Sequence, residues 1–369
     1  MTAFVDALFK PFVTGNLTLA NRIVMAPMTR GFSPNGVPGQ DVADYYQRRA
    51  EGGVGLIITE GTTIDHHAAS QSSSHPAFHG EEALAGWKKV VDATHAAGGK
   101  IAPQLWHVGM MRNAGRPKDD RVPAVGPSGM NVPGKVSGEP MTESEIADVI
   151  AAFARGVSAA KSIGFDAVEF HGAHGYLIDQ FFWDGTNVRT DNWGGNLVER
   201  SRFGVEIVKA ARAAVGPDYP LILRTSQWKQ QDFTHRLAAT PKEWEAFMLP
   251  FVDAGVDIFH CSTRRYWEPE FEGSDLNLAG WTRKLTGKPT ITVGNVGLSR
   301  SSDFVSSMKA DGVETADIDE LAERLAREEF DLVAVGRALV ANPDWPRLIQ
   351  AQDTAKLKAY SKDDLASLH

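Results

Sequence analysis

Eight short apolar runs, most of them separated by stretches of helical period, constrain this chain more than any other feature. They are Arg22-Ile-Val-Met-Ala26, Val54-Gly-Leu-Ile-Ile-Thr59, Lys100-Ile-Ala-Pro-Gln-Leu-Trp106, Phe165-Asp-Ala-Val-Glu-Phe170, Leu221-Ile-Leu-Arg224, Val256-Asp-Ile-Phe-His260, Thr290-Ile-Thr-Val293 and Asp331-Leu-Val-Ala-Val335. Continuous apolar runs of this length fit parallel strands covered on both faces. Between them the sequence reads as helix over 40–50, 81–97, 142–163, 196–214 and 241–254, with a helix-rich piece over 299–328. Thr142-Glu-Ser-Glu145 has the spacing of a capping box, and Gly98-Gly99 is a stop signal. This alternation predicts an α/β fold, a (β/α)8 TIM barrel. An open doubly wound sheet is the other candidate, but no G-x-G-x-x-G follows the first strand. Residues 12–19, β-prone and broken by Gly15-Asn16, predict an N-terminal hairpin cap. Two excursions, 109–140 after the third strand and 184–195 after the fourth, predict long functional or capping loops. No repeat, low-complexity tract or linker interrupts the pattern, so a single domain over residues 1–369 is expected.

Charge and cysteine content narrow the function. A formal net charge of −8 argues against nucleic acid or an anionic membrane as the main partner. One cysteine, Cys261, excludes an intramolecular disulfide framework and a Cys-ligated iron–sulfur cluster. The N-terminus lacks the basic and apolar regions of a signal peptide, and no apolar run approaches the roughly 18 residues of a membrane span. These features predict a soluble, cytoplasmic protein.

In barrels of this kind the chemistry sits at the C-terminal ends of the strands. The first strand ends in Pro27-Met28-Thr29, the second in Glu60-Gly61, the third in Gln104-Leu-Trp106 and the fifth in Arg224. Period-2 alternation points Gln104 and Trp106 the same way. The fourth leads into His171-Gly-Ala-His174-Gly-Tyr176, where imidazoles can donate to an oxygen and a phenol can deliver a proton. Alone, that segment fits a metal pair, two packed histidines or a set of donors.

The seventh and eighth strands end in Gly294-Asn295 and Gly336-Arg337. There, barrels commonly build a phosphate site from backbone N–H groups and a helix N-terminus, and Arg337 adds a fork suited to phosphate oxygens. Gln104 can meet an imide-like edge, Thr29 can donate to a ring oxygen, and Arg224 can face the negative charge of a reduced flavin. Together they ask for FMN.

The chain resembles the Old Yellow Enzyme family of FMN-dependent ene-reductases (NADH:flavin oxidoreductases) along nearly its whole length. The matching segments include Asn21-Arg-Ile-Val-Met-Ala-Pro-Met-Thr29, Gln104-Leu-Trp-His107, Glu169-Phe-His-Gly-Ala-His-Gly-Tyr-Leu177, Thr186-Asn-Val-Arg-Thr-Asp191 and Gly336-Arg337. The resemblance implies FMN on the upper face of the barrel. Pro27, Met28, Thr29 and Gly61 would lie against the flavin, Gln104 and Arg224 at its pyrimidine edge, and Gly294, Asn295, Gly336 and Arg337 at its phosphate. His171 and His174 would hold a substrate oxygen, Tyr176 would donate a proton, and Trp106 would line the substrate pocket. The implied reaction is a two-step hydride relay. NADPH or NADH reduces FMN, which then reduces the C=C bond of an α,β-unsaturated carbonyl or nitro compound. Nitrate esters or nitroaromatics are the alternative substrates, and the protein would be a monomer or homodimer.

Departures from the family pattern concern substrate choice. Thr29 stands where one branch carries cysteine, and Met110-Met111 where many relatives have Gly-Arg. Residues 227–231 and 262–267 read as pocket-shaping loops, and Tyr360 is a poor match to the aromatic residue that relatives bring from near the C-terminus. Relatives with a fused iron–sulfur domain are set aside on length and the single cysteine. Two other classes are a metal-dependent barrel hydrolase using His171 and His174, with no metal ligand set to complete it, and a non-catalytic flavin-binding protein. His66, His67, His75 and His79 read as solvated, Cys261 as a buried small residue, 314–329 as a solvated helix face, and Trp228, Trp244 and Trp281 as packing or pocket lining.

Overall fold

In a computed structural model, which describes residues 4–113, 122–300 and 312–369, the eight runs form one closed barrel of parallel strands. They are β1 (Ile23–Met25), β2 (Leu56–Thr63), β3 (Lys100–Trp106), β4 (Val168–His174), β5 (Leu221–Lys229), β6 (Ile258–Ser262), β7 (Thr290–Val293) and β8 (Leu332–Val335). Each pairs with its sequence neighbours, and β8 closes on β1 with Val333 opposite Ile23 and Val335 opposite Met25.

Alternation along each strand sorts the side chains into two cores. Val24, Ala102, Ala167, Ile222, Ile258 and Leu332 fill the barrel interior. Phe12, Leu17 and Leu19, from the hairpin strands Phe12–Thr14 and Leu17–Leu19, join that cluster and plug the lower mouth. The strands' other faces, such as Ile23, Met25, Val168, Phe170 and Leu223, pack outward with the helices.

The helices follow from their caps. α1 (Gln40–Glu51) and α2 (Glu81–Ala96) lie close to the expected ranges. α3 (Glu143–Ile163) opens on the Thr142/Glu145 capping box and stops where Gly164 takes φ 98°. The helix expected over 196–214 is two, α4 (Leu177–Phe182) being followed by α5 (Leu197–Arg200) and α6 (Arg202–Val215). Asn196 caps α5 with its own capping box, and the chain turns at Ser201. α7 (Pro241–Ala254) starts from the Thr240 cap with Pro241 in its first turn. The piece expected over 299–328 lies partly outside the described residues. Within them it holds α8 (Asp319–Ala326), buried along Leu321, Ala322 and Leu325, so that run is half core rather than a wholly solvated face. Among the described residues no helix is long and apolar enough to cross a membrane.

The two excursions, which follow β3 and β4, pack against each other. In the first, of which residues 114–121 lie outside the described set, Val125–Gly126 pairs with Glu139–Pro140 and Met130–Val132 with Lys135–Val136. Arg189, in the second, donates to the carbonyls of Pro127 and Met141 and ties the two together.

Candidate active site

The strands run further at their upper ends than the apolar pattern indicates. β4 passes through His171 to His174, and β5 continues past Arg224 to Lys229, taking in Gln227, Trp228 and Lys229 that read as loop. The reason is physical. At this level the inward positions line a cavity rather than a dry core, so polar residues replace apolar ones and the hydrophobic signal fades.

The His171–Tyr176 segment owes its shape to a bulge. The register of β4 against β5 shifts between Gly172 and His174, and His174 itself sits at φ 66°. A bulge re-aims the side chains that follow it. Gly175, at φ 78°, completes the turn, and Tyr176 caps α4. The turn is held from below: the Gly175 N–H donates to Asp179 Oδ2 at 2.7 Å, and the Gly175 carbonyl accepts from Gln180 and Gln231. Asp179 Oδ1 meets Lys229 Nζ at 2.5 Å, both side chains fully buried.

This brings the aromatic side chains together. Tyr176 lies edge-on to Trp106 and to His171, with ring centroids 5.0 and 4.9 Å apart. The two imidazoles are 5.1 Å apart, and His174 stacks on Trp228 at 4.5 Å. His174 Nε2 is 2.8 Å from Ser262 Oγ, which also accepts from Arg224 Nη2 at 3.4 Å. Burial, assisted by the Arg224 charge, holds both imidazoles well below their ordinary pKa, and burial raises that of the Tyr176 phenol. All three are therefore neutral at pH 7, with protons to donate.

Below them runs a polar layer. Gln104 Nε2 donates to Glu169 Oε1 at 2.7 Å, and His260 Nδ1 lies 2.6 Å from Glu169 Oε2. Arg224 is buried beside them, its Nε without a hydrogen-bond partner among the described residues. On the far side, Arg337 Nη2 donates to Asn295 Oδ1 at 2.7 Å. Gly294 takes φ 150°, and a Cβ there would lie 2.6 Å from Thr263 Oγ1. The helix after Gly336, Arg337–Ala341, has only five residues, so backbone N–H groups and Arg337 outweigh any macrodipole here. Gly61 serves close packing instead. A Cβ at that position would lie 2.7 Å from the Trp106 ring.

The residues expected at the flavin and substrate all line one cavity of about 340 Å³: Pro27, Met28, Thr29, Gly61, Gln104, Trp106, His171, His174, Tyr176, Arg224, Gly294, Asn295, Gly336 and Arg337. The segments 227–231 and 262–267, read from the sequence as pocket-shaping, contribute as well, whereas Leu365 was missed. Trp228 comes from the prolonged β5 and Gln230 from the residue just after it, Ser262 to Arg264 from the end of β6 and beyond, and Leu365 from the C-terminal segment. Trp228, left open between packing and pocket lining, lines the cavity, where period-2 alternation from Arg224 aims it; nothing local marks Leu365. Trp244 belongs to the fully buried core, while Trp281 packs half-buried at its edge.

The histidines of the 66–79 loop need correcting. His75 is buried against the Trp106 ring, and His66 Nδ1 lies 2.9 Å from His107 Nε2. Burial pulls the His66 pKa down to about 4. His67 is exposed and His79 half-buried. Cys261 is fully buried, and burial pushes its thiol up to about 12, so it is no nucleophile.

Comparison with known proteins agrees with the geometry. The model of the NADH:flavin oxidoreductase / NADH oxidase family matches residues 7–355. An NADH oxidase of Thermoanaerobacter brockii is 34% identical over 94% of this chain, which spans only 51% of that protein. 12-Oxophytodienoate reductase 1 of Oryza sativa subsp. japonica is 32% identical over 96% of this chain and 88% of its own length. The structure of morphinone reductase in complex with tetrahydroNAD superposes with a TM-score of 0.79, at 29% identity, covering 97% of this chain and 93% of that one.

Proposed function

This chain belongs to the NADH:flavin oxidoreductase / NADH oxidase family, and within the flavin-dependent oxidoreduction of that family we propose a more specific activity: the NAD(P)H-dependent reduction of activated C=C bonds in α,β-unsaturated carbonyl or nitro compounds. The observation that carries the reading is the neutral His171 imidazole with the His174 ring 5.1 Å and the Tyr176 ring 4.9 Å from it, all lining one cavity with Gln104 and Arg224.

The residues present fit FMN. The orphaned Arg224 Nε and the amide of Gln104 suit the pyrimidine edge, while Gly294, Asn295, Gly336 and Arg337 suit the phosphate. Pro27, Met28, Thr29 and Gly61 would border the ring. Bound there, FMN would supply hydride transfer between the nicotinamide and the alkene. The tetrahydroNAD in morphinone reductase supports a nicotinamide at the same mouth, and family resemblance favours NADPH.

The remaining work falls to this chain's side chains. The Ser262 hydroxyl, accepting from Arg224, can pass its own proton toward His174 Nε2 and leave Nδ1–H as that ring's donor. His171 Nδ1 is buried with no partner among the described residues. Between them the rings stabilise negative charge on a substrate oxygen as the alkene is reduced. Tyr176 then delivers a proton to the α-carbon, its phenol kept protonated by burial. Trp106 and Trp228 wall the substrate in and exclude water.

The experiment is a comparison of half-reactions. Purified protein should be yellow, and Tyr176→Phe should slow reoxidation of the reduced protein by an enone about 10²–10⁴-fold while sparing reduction by NADPH. Equal loss in both halves, or a colourless protein that takes up no FMN, would defeat the reading.

A further inference from the structure

The polar layer beneath the cavity contains a carboxylate that the reaction leaves unused. One level lower, the same four strands place Ala102, Ala167, Ile222 and Ile258 in the barrel interior. Two residues further along each they place Gln104, Glu169, Arg224 and His260, all buried. A packed barrel interior has no structural need for this switch, because burying a carboxylate is costly unless both oxygens are satisfied. Here both are: Oε1 accepts from Gln104 at 2.7 Å, and Oε2 lies 2.6 Å from His260 Nδ1. The arrangement has two consequences for whatever lies above it.

The first is geometric. A glutamine amide can present its oxygen or its nitrogen with almost equal ease, and only its partners decide. A carboxylate accepts and does not donate, so Glu169 captures the NH2 end. Gln104 is left to show its surroundings an oxygen and one remaining N–H, in a single orientation. The second consequence is electrostatic. Glu169 is close enough to Arg224 to support its charged form against burial. The field that Arg224 casts into the cavity is therefore partly offset from below.

We propose that Glu169, seated on His260, is the positioning residue that sets the electron affinity of the bound flavin through the orientation of Gln104 and the partial neutralisation of Arg224. The inference rests on the FMN reading above. It has a sign. Taking away the Glu169 charge leaves Arg224 less compensated, which favours the more negative, reduced flavin. Taking away the His260 donor leaves the carboxylate less neutralised, which disfavours it.

The test is an anaerobic redox titration of the FMN-loaded protein, followed by flavin absorbance, for wild type, Glu169→Gln and His260→Leu. FMN affinity is measured alongside by fluorescence. Glu169→Gln should shift the oxidised-to-reduced equilibrium toward reduced flavin about tenfold, or about 30 mV for a two-electron couple. His260→Leu should shift it several-fold the other way. If Glu169→Gln proves insoluble, the His260→Leu arm decides by its direction. In a Gln104→Leu background the Glu169→Gln shift should shrink, because the orientational part is gone. Variants that lower the thermal midpoint but leave the potential within threefold of wild type would reduce Glu169 to a structural role and overturn the inference. A wild-type protein that binds no FMN would instead defeat the functional reading together with this one.

Discussion

The pair Lys229–Asp179 gives the sharpest energetic test of how the His171–Tyr176 turn is held. Both side chains are fully buried, with Nζ and Oδ1 2.5 Å apart, and Asp179 Oδ2 also receives the Gly175 N–H. Burial is the larger influence on each partner: it raises the pKa of Asp179 and lowers that of Lys229, against their mutual attraction. Replacing Lys229 by Met strands a carboxylate in the interior, and breaking a buried pair in this way costs about 3–5 kcal/mol. For 369 residues at about 2.1 cal/mol/K each, 1 kcal/mol moves the midpoint by about 1.3 °C, so a drop of about 4–6 °C is expected. Lys229→Met/Asp179→Asn removes both charges and keeps an acceptor for Gly175, so it should recover more than half of the loss. The pH dependence follows from the raised carboxyl. Its protonated form is favoured in the folded state, so the penalty should be small at low pH and grow as pH rises through the folded-state pKa. The assay is thermal unfolding at fixed, saturating FMN between pH 5 and pH 8. A single substitution that shifts the midpoint by less than about 1 °C, or a double variant no more stable than the single, would refute the claim that this pair supports the turn.

Three further outcomes are expected. Gly294→Ala puts a Cβ 2.6 Å from Thr263 Oγ1 and 2.8 Å from the Thr263 carbonyl, at a φ that L-residues rarely adopt. It should weaken FMN binding at least about tenfold by fluorescence titration, and an unchanged affinity would remove Gly294 from the phosphate end. Thr142→Ala loses the reciprocal cap with Glu145 and should cost about 1 kcal/mol, read as a small fall in midpoint with both half-reactions unaltered. His66 has a folded-state pKa of about 4, below its unfolded value, so its contribution is complete above about pH 6.5 and lost as pH falls toward 4. Midpoints measured from pH 7 to pH 4.5 should decline, and His66→Asn should flatten that decline.

Much of the barrel was legible because its strands obey one rule, apolar on both faces, for most of their length. The rule fails where β4 and β5 become the walls of a site. Thr225, Ser226 and Gln227 are strand residues with almost no exposure, yet a hydrophobicity pattern reads them as loop. Gly172 and the left-handed His174 look like a turn, whereas the chain is still paired to β5 through a bulge. The candidate residues could nevertheless be chosen, because strand order and strand ends suffice to bring them to one mouth. What strand ends cannot convey is contact between distant segments. Leu365 reaches the cavity because Arg30 donates to the Asp364 and Ser367 carbonyls, and His66 is drawn in to half-burial by its contact with the buried His107.

The distribution of charge adds a constraint that neither the pattern nor the pocket alone supplies. The chain as a whole is acidic, at −8, but the cavity is lined by Arg224, Arg264 and Arg337 and by no carboxylate among its described lining residues. Acids do stand close by, and each is shielded from the opening. Glu169 is engaged by Gln104 and His260, while Glu60 accepts the N–H groups of Arg30 and Gly31, its carboxyl pushed up to about 7 by burial. A positive concavity in a negative body focuses field lines on the mouth and repels anions elsewhere. Such a surface suits ligands that are themselves anionic, as a flavin phosphate and a nicotinamide dinucleotide are. The same logic explains why His171 and His174 are neutral imidazoles: buried with Arg224 already present, a second full charge is repelled, and a hydrogen-bond donor is what remains for any ligand oxygen.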